Sequence, residues 1–392
     1  MIEAIKDIYY VGVQDPDLRV FDIIMRSDYG TSYNSYLVRG ATKTVLFETV
    51  KDKFCDQMLE NIREVCDVTE IDYIVMNHTE PDHAGSLTRL LELVPCATVV
   101  GSAAAITFLR EIVNKPFNSF AVSEKDELDI GGMTLKFLSV PQLHWPDSQY
   151  TYIPERRALF TCDSFGCHYS DPRIFNDLID ADFGDAYYYY FYHIMGPFKN
   201  PHMKNALNKI ASLNIEFIGN GHGPVIRRDP QKYIDMYRAW CEEPVRAQKQ
   251  VAIAYVSAYG YTRAIAEAMA DGVREAGVEV SMFDLVTDDK AAAAAAIAAS
   301  NGFLLGSPTL VGDALPPVWE MLLGINPIIH KSVSAAAFGS YGWSGEAVPN
   351  LMGRLKQLRL KTPEEGFRVR FKPTEQDLEN ARAYGKRFAE GL

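Results

Sequence analysis

The chain has 392 residues, 47% hydrophobic and 23% charged, which is the composition of a globular protein long enough for two domains. Its net charge of −12 disfavours a nucleic-acid or anionic-membrane surface, because such polyanions are met by clustered lysine and arginine. No apolar run reaches the roughly 18 residues of a bilayer span and no signal-peptide pattern opens the sequence, so we expect no membrane contact and a cytoplasmic location.

The first 250 residues predict an α/β domain in which strands alternate with loops and helices. Predicted strands cover 32–39, 44–50, 71–76, 97–102, 133–140 and 150–154, the first two forming a hairpin, and predicted helices cover 53–66, 86–94 and 103–113. Side chains that bind metals follow several of these strands. The chemistry of this domain is therefore expected on its loops.

The composition changes at the polar stretch 242–250, after which a regular alternation of strands and helices runs to the end of the sequence. Predicted strands cover 251–257, 278–285, 302–308 and 334–341, and predicted helices cover 262–277, 288–300 and 374–392, the last with Thr374 and Asp377 as a capping box. This spacing indicates a doubly wound parallel sheet. We therefore predict two domains, 1–249 and 250–392.

The densest group of candidate metal ligands is His78-x-Glu80-x-Asp82-His83, directly after the apolar strand 71–76. Alternate side chains of an extended loop point the same way, so the first three can converge, with His83 beside them. The alternative is a polar surface loop with incidental histidines. It is the weaker interpretation, because it would place four polar side chains close together directly after a buried strand, where losing their bound water is costly.

Three further candidates lie at or just after the ends of apolar strands. His144 follows the strand 133–140, Asp163 ends the apolar run "ALFTCD" at 158–163, and His222 follows "IEFIGN" at 215–220. Each has an ordinary structural explanation on its own. Together with the first cluster they supply four histidines and three carboxylates, which predicts two metal ions with Asp163 as bridge. The six cysteines form no C-x-x-C pair, so any iron here must use nitrogen and oxygen ligands. A diiron pair suits this ligand set, and zinc stays open.

Three loops of the second domain predict another binding site, because each follows an apolar strand of the parallel sheet. The first begins a helix, where backbone N–H groups and hydroxyls favour a phosphate, although a tight strand-to-helix turn explains it too. The other two place small residues beside side chains suited to gripping a flat ring. The residues are Ser257, Ala258, Tyr259, Gly260, Tyr261 and Thr262; Ser307, Pro308, Thr309, Leu310 and Gly312; and Ser340, Tyr341, Gly342, Trp343 and Gly345.

The order of the seven candidate ligands resembles the metallo-β-lactamase-like domain of flavodiiron proteins, and "GHGP" at 221–224 resembles that family's last ligand loop. The resemblance implies one iron on His78, Glu80 and His144, a second iron on Asp82, His83 and His222, and Asp163 bridging them. Hydrolases of the same superfamily typically carry histidine in place of Glu80. This residue therefore distinguishes iron redox chemistry from zinc hydrolysis.

The three loops of the second domain resemble the flavodoxin-like domain of the same family. The resemblance implies bound FMN, with its phosphate on 257–262 and its ring between 307–312 and 340–345. The second loop lacks the asparagine often found there, which leaves the ring's polar contacts open. Because the resemblance covers essentially the whole chain, we expect the minimal two-domain form, without a fused rubredoxin or flavin reductase module.

The resemblance implies an oxidoreductase in which electrons enter at FMN and pass to a non-haem diiron site that reduces O2 to water, NO to N2O, or both. It implies an electron donor such as rubredoxin or the reduced deazaflavin F420. It also implies a head-to-tail homodimer, or a dimer of dimers, that places the FMN of one chain beside the diiron site of another. A zinc-type metallohydrolase with an appended flavodoxin-like domain and a pure electron carrier are the alternatives. Glu80 argues against the first and the complete ligand set against the second.

Several aromatic and histidine side chains are candidates for hydrogen bonding or proton donation near a bound oxygen species. His168 and Tyr169 follow the candidate bridging aspartate, and Tyr190, Tyr192 and His193 lie in a tyrosine-rich stretch. Buried aromatic packing is the commoner role for such residues. Their function is left open by the sequence.

Overall fold

The computed structural model describes residues 1–22, 24–242, 248–328, 330 and 333–392. The chain divides into two compact units, Met1–Glu243 and Pro244–Leu392. The predicted polar stretch 242–250 falls largely on 243–247, which lie outside the described residues. Among the described residues, no helix has the length and apolar character needed to cross a bilayer.

The first unit is built on two mixed sheets. Its strands are β1 (Ile2–Ile5), β2 (Ile8–Tyr10), β3 (Val13–Asp15), β4 (Val20–Phe21), β5 (Met25–Arg26), β6 (Thr31–Tyr33), β7 (Tyr36–Arg39), β8 (Thr44–Phe47), β9 (Ile71–Met76), β10 (Thr98–Gly101), β11 (Asn118–Ala121), β12 (Glu127–Asp129), β13 (Thr134–Ser139), β14 (Gln149–Ile153), β15 (Ala158–Cys162) and β16 (Phe217–Asn220). The larger sheet has the order β1-β2-β7-β8-β9-β10-β11 and the smaller one β12-β13-β14-β15-β16.

Helices cover the outer faces of both sheets. They are α1 (Cys55–Arg63), α2 (Pro81–Ala84), α3 (Leu87–Leu93), α4 (Ala103–Val113), α5 (Gly184–Tyr190), α6 (Lys204–Ile210) and α7 (Pro230–Cys241). Apolar residues of α1, α3 and α4 pack on the larger sheet, and those of α5 to α7 pack on the smaller one. Central strands covered on both faces need near-continuous apolar sequence, which explains the buried run of β8.

The two sheets face each other across a third apolar cluster. Phe47 of the larger sheet stacks on Phe160 of the smaller one with ring centroids 4.0 Å apart, and Phe217 and Val75 are fully buried beside them. Two helical layers outside two facing sheets form an αβ/βα sandwich. This architecture confirms the predicted metallo-β-lactamase-like fold and brings the carboxyl ends of several strands to one edge.

The second unit is a five-stranded, all-parallel sheet between helices. Its elements are β17 (Gln250–Tyr255), α8 (Tyr261–Glu275), β18 (Glu279–Asp284), α9 (Lys290–Ala299), β19 (Gly302–Gly306), α10 (Pro316–Leu323), β20 (Ser334–Tyr341), α11 (Ala347–Gln357), β21 (Phe367–Arg370) and α12 (Glu375–Glu390). The strand order β18-β17-β19-β20-β21 is the doubly wound, flavodoxin-like order. The fold prediction is confirmed.

One predicted strand is wrong, because 32–39 is two strands. β6 pairs with β3 in a small ribbon, whereas β7 pairs with β2 and β8 in the large sheet. The chain turns at Asn34, whose backbone N–H donates to the carbonyl of Gly221 at 2.8 Å and whose amide donates to Gly223 at 3.0 Å. A contact with a distant loop thus interrupts the strand. The predicted capping box is confirmed: Asp377 N–H donates to Thr374 Oγ1 and Thr374 N–H donates to Asp377 Oδ2.

Helices α8 and α12 approach each other closely at two glycines. A Cβ on Gly272 would overlap the backbone carbonyl of Arg382, and one on Gly385 would overlap that of Met269. The absence of side chains at these positions allows the two backbones to touch. The C-terminal helix is held against the sheet unit by this contact.

Gly272→Ala should lower the free energy of unfolding of the second unit by about 1–3 kcal/mol, because the methyl group forces the two helices apart. Gly353→Ala is the matched control, since Gly353 lies within α11 with nothing within 4 Å of an added Cβ. It should cause no loss, and a gain of about 0.4–1 kcal/mol is expected from the stiffer unfolded chain. Urea unfolding followed by circular dichroism measures both. Equal effects of the two variants would contradict the close approach.

Candidate functional site

The seven candidate metal ligands follow the carboxyl ends of strands, at one edge of the sandwich. Four of them follow β9, on a loop and in α2, the loop between β13 and β14 carries His144, and β15 and β16 are followed by Asp163 and His222. Pro81 begins α2 directly after Glu80, and this turn leaves Asp82 and His83 buried, at 4% and 0% exposure. Of the four ligands in this cluster, His78 and Glu80 therefore lie on the loop and Asp82 and His83 lie at the start of α2.

The structure gathers the ligands into two groups in which the nearest donor atoms lie within 4.8 Å of one another. The first group joins His78, Glu80 and His144 around Asp163. Glu80 Oε2 lies 3.2 Å from His78 Nε2 and 2.9 Å from His144 Nε2. Asp163 Oδ2 lies 3.4 Å and 3.3 Å from the same two nitrogens. Two imidazoles and two carboxylates thus converge on one point.

The second group joins Asp82, His83 and His222. Asp82 Oδ2 lies 3.1 Å from His222 Nε2, and Asp163 Oδ1 lies 3.0 Å from His83 Nε2 and 3.4 Å from His222 Nε2. The two oxygens of Asp163 therefore face different groups. This is the geometry of a carboxylate able to bridge two metal ions.

The electrostatics of the cluster favour bound positive charge. Burial by itself would lower the pKa of the histidines, but hydrogen bonds to Asp163 and Glu80 raise that of His144 to about 9, and hydrogen bonds to Asp163 and Asp82 raise that of His222 to about 10. Burial would raise the pKa of Glu80, yet hydrogen bonds from His144 and His78 hold it well below its usual range. Buried carboxylates of this kind require cations.

The donor set fits two divalent ions with nitrogen and oxygen ligands. Asp82 Oδ1 is buried and makes no hydrogen bond within the described part of the chain, so it has free lone pairs at the cluster. Cys162 lies close to His83 and Asp163, but burial raises the pKa of its thiol well above the usual value. Such a buried thiol is a weaker candidate ligand than the histidines and carboxylates beside it.

Sequence reasoning missed the groups behind the ligating nitrogens. Asp147 Oδ2 lies 3.1 Å from His78 Nδ1, and His222 Nδ1 donates to the carbonyl of Ser32 at 2.6 Å. No spacing rule marks Asp147; its one available signal is that it follows His144 by three residues in the same loop. Ser32 acts through its backbone and leaves no signal in the sequence.

Of the aromatic candidates, His168 and Tyr190 are buried beside the second group. The ring centroids of His168 and Tyr190 lie 5.3 Å and 6.0 Å from that of His222. Burial lowers the pKa of His168 well below its usual value and raises that of Tyr190 well above it, so both rings are neutral. Tyr192 is 42% exposed and packs against Tyr188 and His193, so the structure does not bring it to the metal ligands.

The three loops of the second unit meet at the carboxyl edge of its sheet and are hydrogen-bonded to one another. Thr262 Oγ1 lies 2.9 Å from Ser340 Oγ, which joins the first loop to the third. Thr309 N–H donates to the Ser340 carbonyl at 3.0 Å, and Ala347 N–H donates to Thr309 Oγ1 at 3.2 Å. The three loops are therefore joined into one continuous rim, in which Ser257 Oγ accepts from Arg263 N–H at the start of α8.

This rim fits a flat ring with a phosphate at one end. Tyr259 and Trp343 are 78% and 87% exposed, although large aromatic side chains are normally buried. Gly260 and Gly312 have φ of +83° and +75° with nothing within 4 Å of an added Cβ, so open space lies over both backbones. Gly260 N-caps α8, whose first backbone N–H groups favour an anion.

Comparisons with known proteins agree with the folds of both units. A model described as ODP family beta lactamase matches residues 31–223, and one described as flavodoxin matches 253–385. The chain is 42% identical to a flavo-diiron protein of Clostridium acetobutylicum over 99% of both chains, and 35% identical to a nitric oxide reductase of Moorella thermoacetica over 98% of both. The structure of rubredoxin oxygen:oxidoreductase from Desulfovibrio gigas matches at a TM-score of 0.73 and 28% identity, covering 99% of this chain and 98% of that one.

The first unit is an αβ/βα sandwich whose histidines and carboxylates cluster at two metal positions, and the second is a flavodoxin-like unit with an open aromatic rim. Together they define the class of metal-dependent flavoprotein oxidoreductases. The similarity to a flavo-diiron protein over nearly the full length of both chains identifies the family within this class. The chain belongs to the flavodiiron, or type A flavoprotein, family.

Proposed function

We propose that this protein is a flavodiiron oxidoreductase that reduces O2 to water, NO to N2O, or both, and so removes these gases from the cytoplasm. The observation that carries the proposal is the position of Asp163, whose two oxygens face two separate groups of nitrogen and oxygen ligands. A carboxylate placed in this way could hold two metal ions, and such a pair would supply Lewis acidity and electrons to a small diatomic molecule.

In this proposal the first iron would be held by His78, Glu80 and His144 and the second by Asp82, His83 and His222, with Asp163 shared between them. FMN would be held by 257–262 at its phosphate and by 307–312 and 340–345 around its ring. When bound, FMN would supply electrons one or two at a time and the iron would supply the redox chemistry for O2 or NO. Residues 1–249 then form the diiron domain and 250–392 the FMN domain.

The protein's own side chains prepare the site for this reaction. The ligands of the second group are buried, so bulk water is excluded from that side. His168 is 3% exposed, and its Nδ1 lies 2.9 Å from Thr31 Oγ1. We propose that neutral His168 and the protonated phenol of Tyr190 offer hydrogen bonds near the substrate, whereas Tyr192 packs at the surface.

The relatives' names indicate the kind of substrate and donor. One is called a nitric oxide reductase and another a rubredoxin oxygen:oxidoreductase. We propose that a small reduced carrier such as rubredoxin, or reduced F420, supplies the electrons. We also propose a head-to-tail homodimer, alone or as a dimer of dimers, that places each FMN beside the diiron site of the other chain.

Anaerobic stopped-flow measurement of the reduced protein against O2 and then NO tests the proposal, with iron, zinc and FMN measured on the same sample. The expected result is two irons and one FMN per chain, with reoxidation of reduced FMN by at least one gas. Zinc in place of iron together with ester hydrolysis would support a metallohydrolase instead. A metal-free protein that exchanges electrons but consumes neither gas would indicate a carrier.

Trp343→Ala should weaken FMN binding about 2- to 10-fold, because one aromatic face stacked on the ring contributes about 0.5–1.5 kcal/mol. Fluorescence titration of the FMN-free protein with FMN measures the dissociation constant. Leu323→Ala is the control, since Leu323 is 75% exposed at the end of α10, which runs away from the rim. Equal dissociation constants for Trp343→Ala and the unmodified protein would show that Trp343 does not contact the flavin.

A further inference from the structure

The carboxylate of Asp147 is held rigidly behind His78. Asp147 is fully buried, and its Oδ2 accepts the N–H of Thr79 at 2.8 Å and the Thr79 hydroxyl at 2.9 Å. The same oxygen lies 3.1 Å from His78 Nδ1. The Asp147 carbonyl accepts the hydroxyl of Ser102, which caps α4, so the loop itself is anchored to a helix.

The other end of the His78 ring faces the first metal group. Its Nε2 lies 3.2 Å from Glu80 and 3.4 Å from Asp163. A carboxylate behind one nitrogen fixes the proton there, which leaves the lone pair on the opposite nitrogen. The geometry therefore selects the His78 tautomer with Nδ1–H toward Asp147 and Nε2 free to bind a metal.

Among the described residues, no carboxylate is hydrogen-bonded to the far nitrogen of a histidine in the second metal group, although the buried Glu48 carboxylate interacts electrostatically with His83. His222 Nδ1 donates to a neutral backbone carbonyl, that of Ser32, and His83 Nδ1 is buried without a hydrogen bond in the described part of the chain. A full negative charge behind an imidazole makes it a stronger ligand than a neutral carbonyl does. The two metal positions thus differ in the hydrogen bonding behind their histidines, and Asp147 acts on the first position alone.

We propose that Asp147 is a positioning residue that makes the first metal position, on His78, Glu80 and His144, a stronger site than it would otherwise be, without a matching effect on the second. The inference rests on the proposed diiron function. It concerns the relative strength of the two positions rather than the gas that is reduced.

Asp147→Asn separates charge from shape. With its amide oxygen in the place of Oδ2, the variant can still accept from Thr79 and from His78 Nδ1, so it removes the negative charge behind the ring and keeps the hydrogen bonds. We expect the variant to lose 10- to 100-fold in affinity at one of two metal equivalents and to leave the other within about twofold. The measurement is calorimetric titration of the metal-free, full-length protein with Co2+, followed by visible absorption spectra of the cobalt protein.

Three controls make the result specific. Asp177→Asn carries the same chemical change at a carboxylate bound to Arg227, away from the ligands, and should bind both Co2+ ions normally. Thr79→Val keeps the Asp147 charge but removes one hydrogen bond, and should weaken the same single equivalent by less than tenfold. Circular dichroism confirms that each variant is folded.

The outcomes distinguish the two proposals. If the unmodified protein fails to bind two Co2+ ions, the proposed binuclear site fails. If it binds two and Asp147→Asn weakens neither, or both by the same factor, the role of Asp147 is overturned. If Asp147→Asn does not fold, Thr79→Val decides, and an unchanged affinity at both equivalents overturns the role. A change in the cobalt spectrum of one equivalent alone supports it.

Discussion

Asp163→Asn should remove both metal ions and lower gas consumption by about 100-fold or more. Each oxygen of Asp163 faces a different ligand group, so the amide replaces one ligand atom by an N–H2 group and removes the central negative charge. Because changing a residue behind a ligand already costs 10- to 100-fold, loss of the bridging ligand itself should cost at least the upper end of that range. Metal analysis and O2 or NO consumption measure the effect.

The FMN half of the reaction serves as an internal control. The flavodoxin-like unit has its own core and its own loops, so reduction of FMN by the donor should proceed at the normal rate in Asp163→Asn while reoxidation by the gas fails. Asp177→Asn, the same change elsewhere in the first unit, should retain iron and activity. Normal iron content and gas consumption in Asp163→Asn would contradict the bridging role and the proposed centre.

Glu80→His should shift metal retention from iron toward zinc and lower gas reduction by about 10- to 100-fold. Glu80 Oε2 is the carboxylate oxygen nearest to the Nε2 atoms of both His78 and His144, so the substitution replaces an anionic oxygen ligand by a neutral nitrogen at the first position. Imidazole suits zinc well, whereas iron in this ligand set relies on carboxylate charge. Iron and zinc contents of protein produced with both metals present give the measurement.

Glu80→Asp is the matched control, since it keeps the carboxylate and shortens the side chain by one methylene. It should retain more iron than Glu80→His, although its shorter reach reduces activity. Unchanged iron content and activity in Glu80→His would show that the choice of metal is set elsewhere. A loss of both metals in Glu80→His would support Glu80 as a ligand but not as the determinant of metal identity.

Much of the fold followed from local pattern. The apolar runs of β9 and β20 and the amphipathic helices α4 and α12 were predicted to within a residue or two, because burial on one face or both imposes a period on the sequence. The division of 32–39 into β6 and β7 was not predicted. Its cause is a hydrogen bond from Asn34 to Gly221, a residue 187 positions away, which no local window contains.

The sequence likewise predicted the types of side chain in the candidate site but not all of their contacts. Types and order of side chains marked His78, Glu80, Asp82, His83 and the three later ligands, since metal chemistry requires particular atoms. Tyr190 and Tyr192 looked equivalent in sequence, yet one is buried beside His222 and the other is 42% exposed, because they occupy different faces of one helical segment. The sequence did not reveal Asp147 as the partner of His78, because its role depends on the direction of one carboxylate.

By itself, the sequence determined which atoms are available and in what order: nitrogen and oxygen ligands after strands of one domain, and small and aromatic residues after strands of the other. Only the tertiary structure decided which of these ligands lie together at each metal position. The placement of Asp163 between two groups, and of Asp147 behind just one of them, results from the packing of two sheets that brings distant strand ends to a common edge. Sequence spacing gives no distances between residues across such an edge, so the different hydrogen bonding behind the two metal positions is a property of the fold.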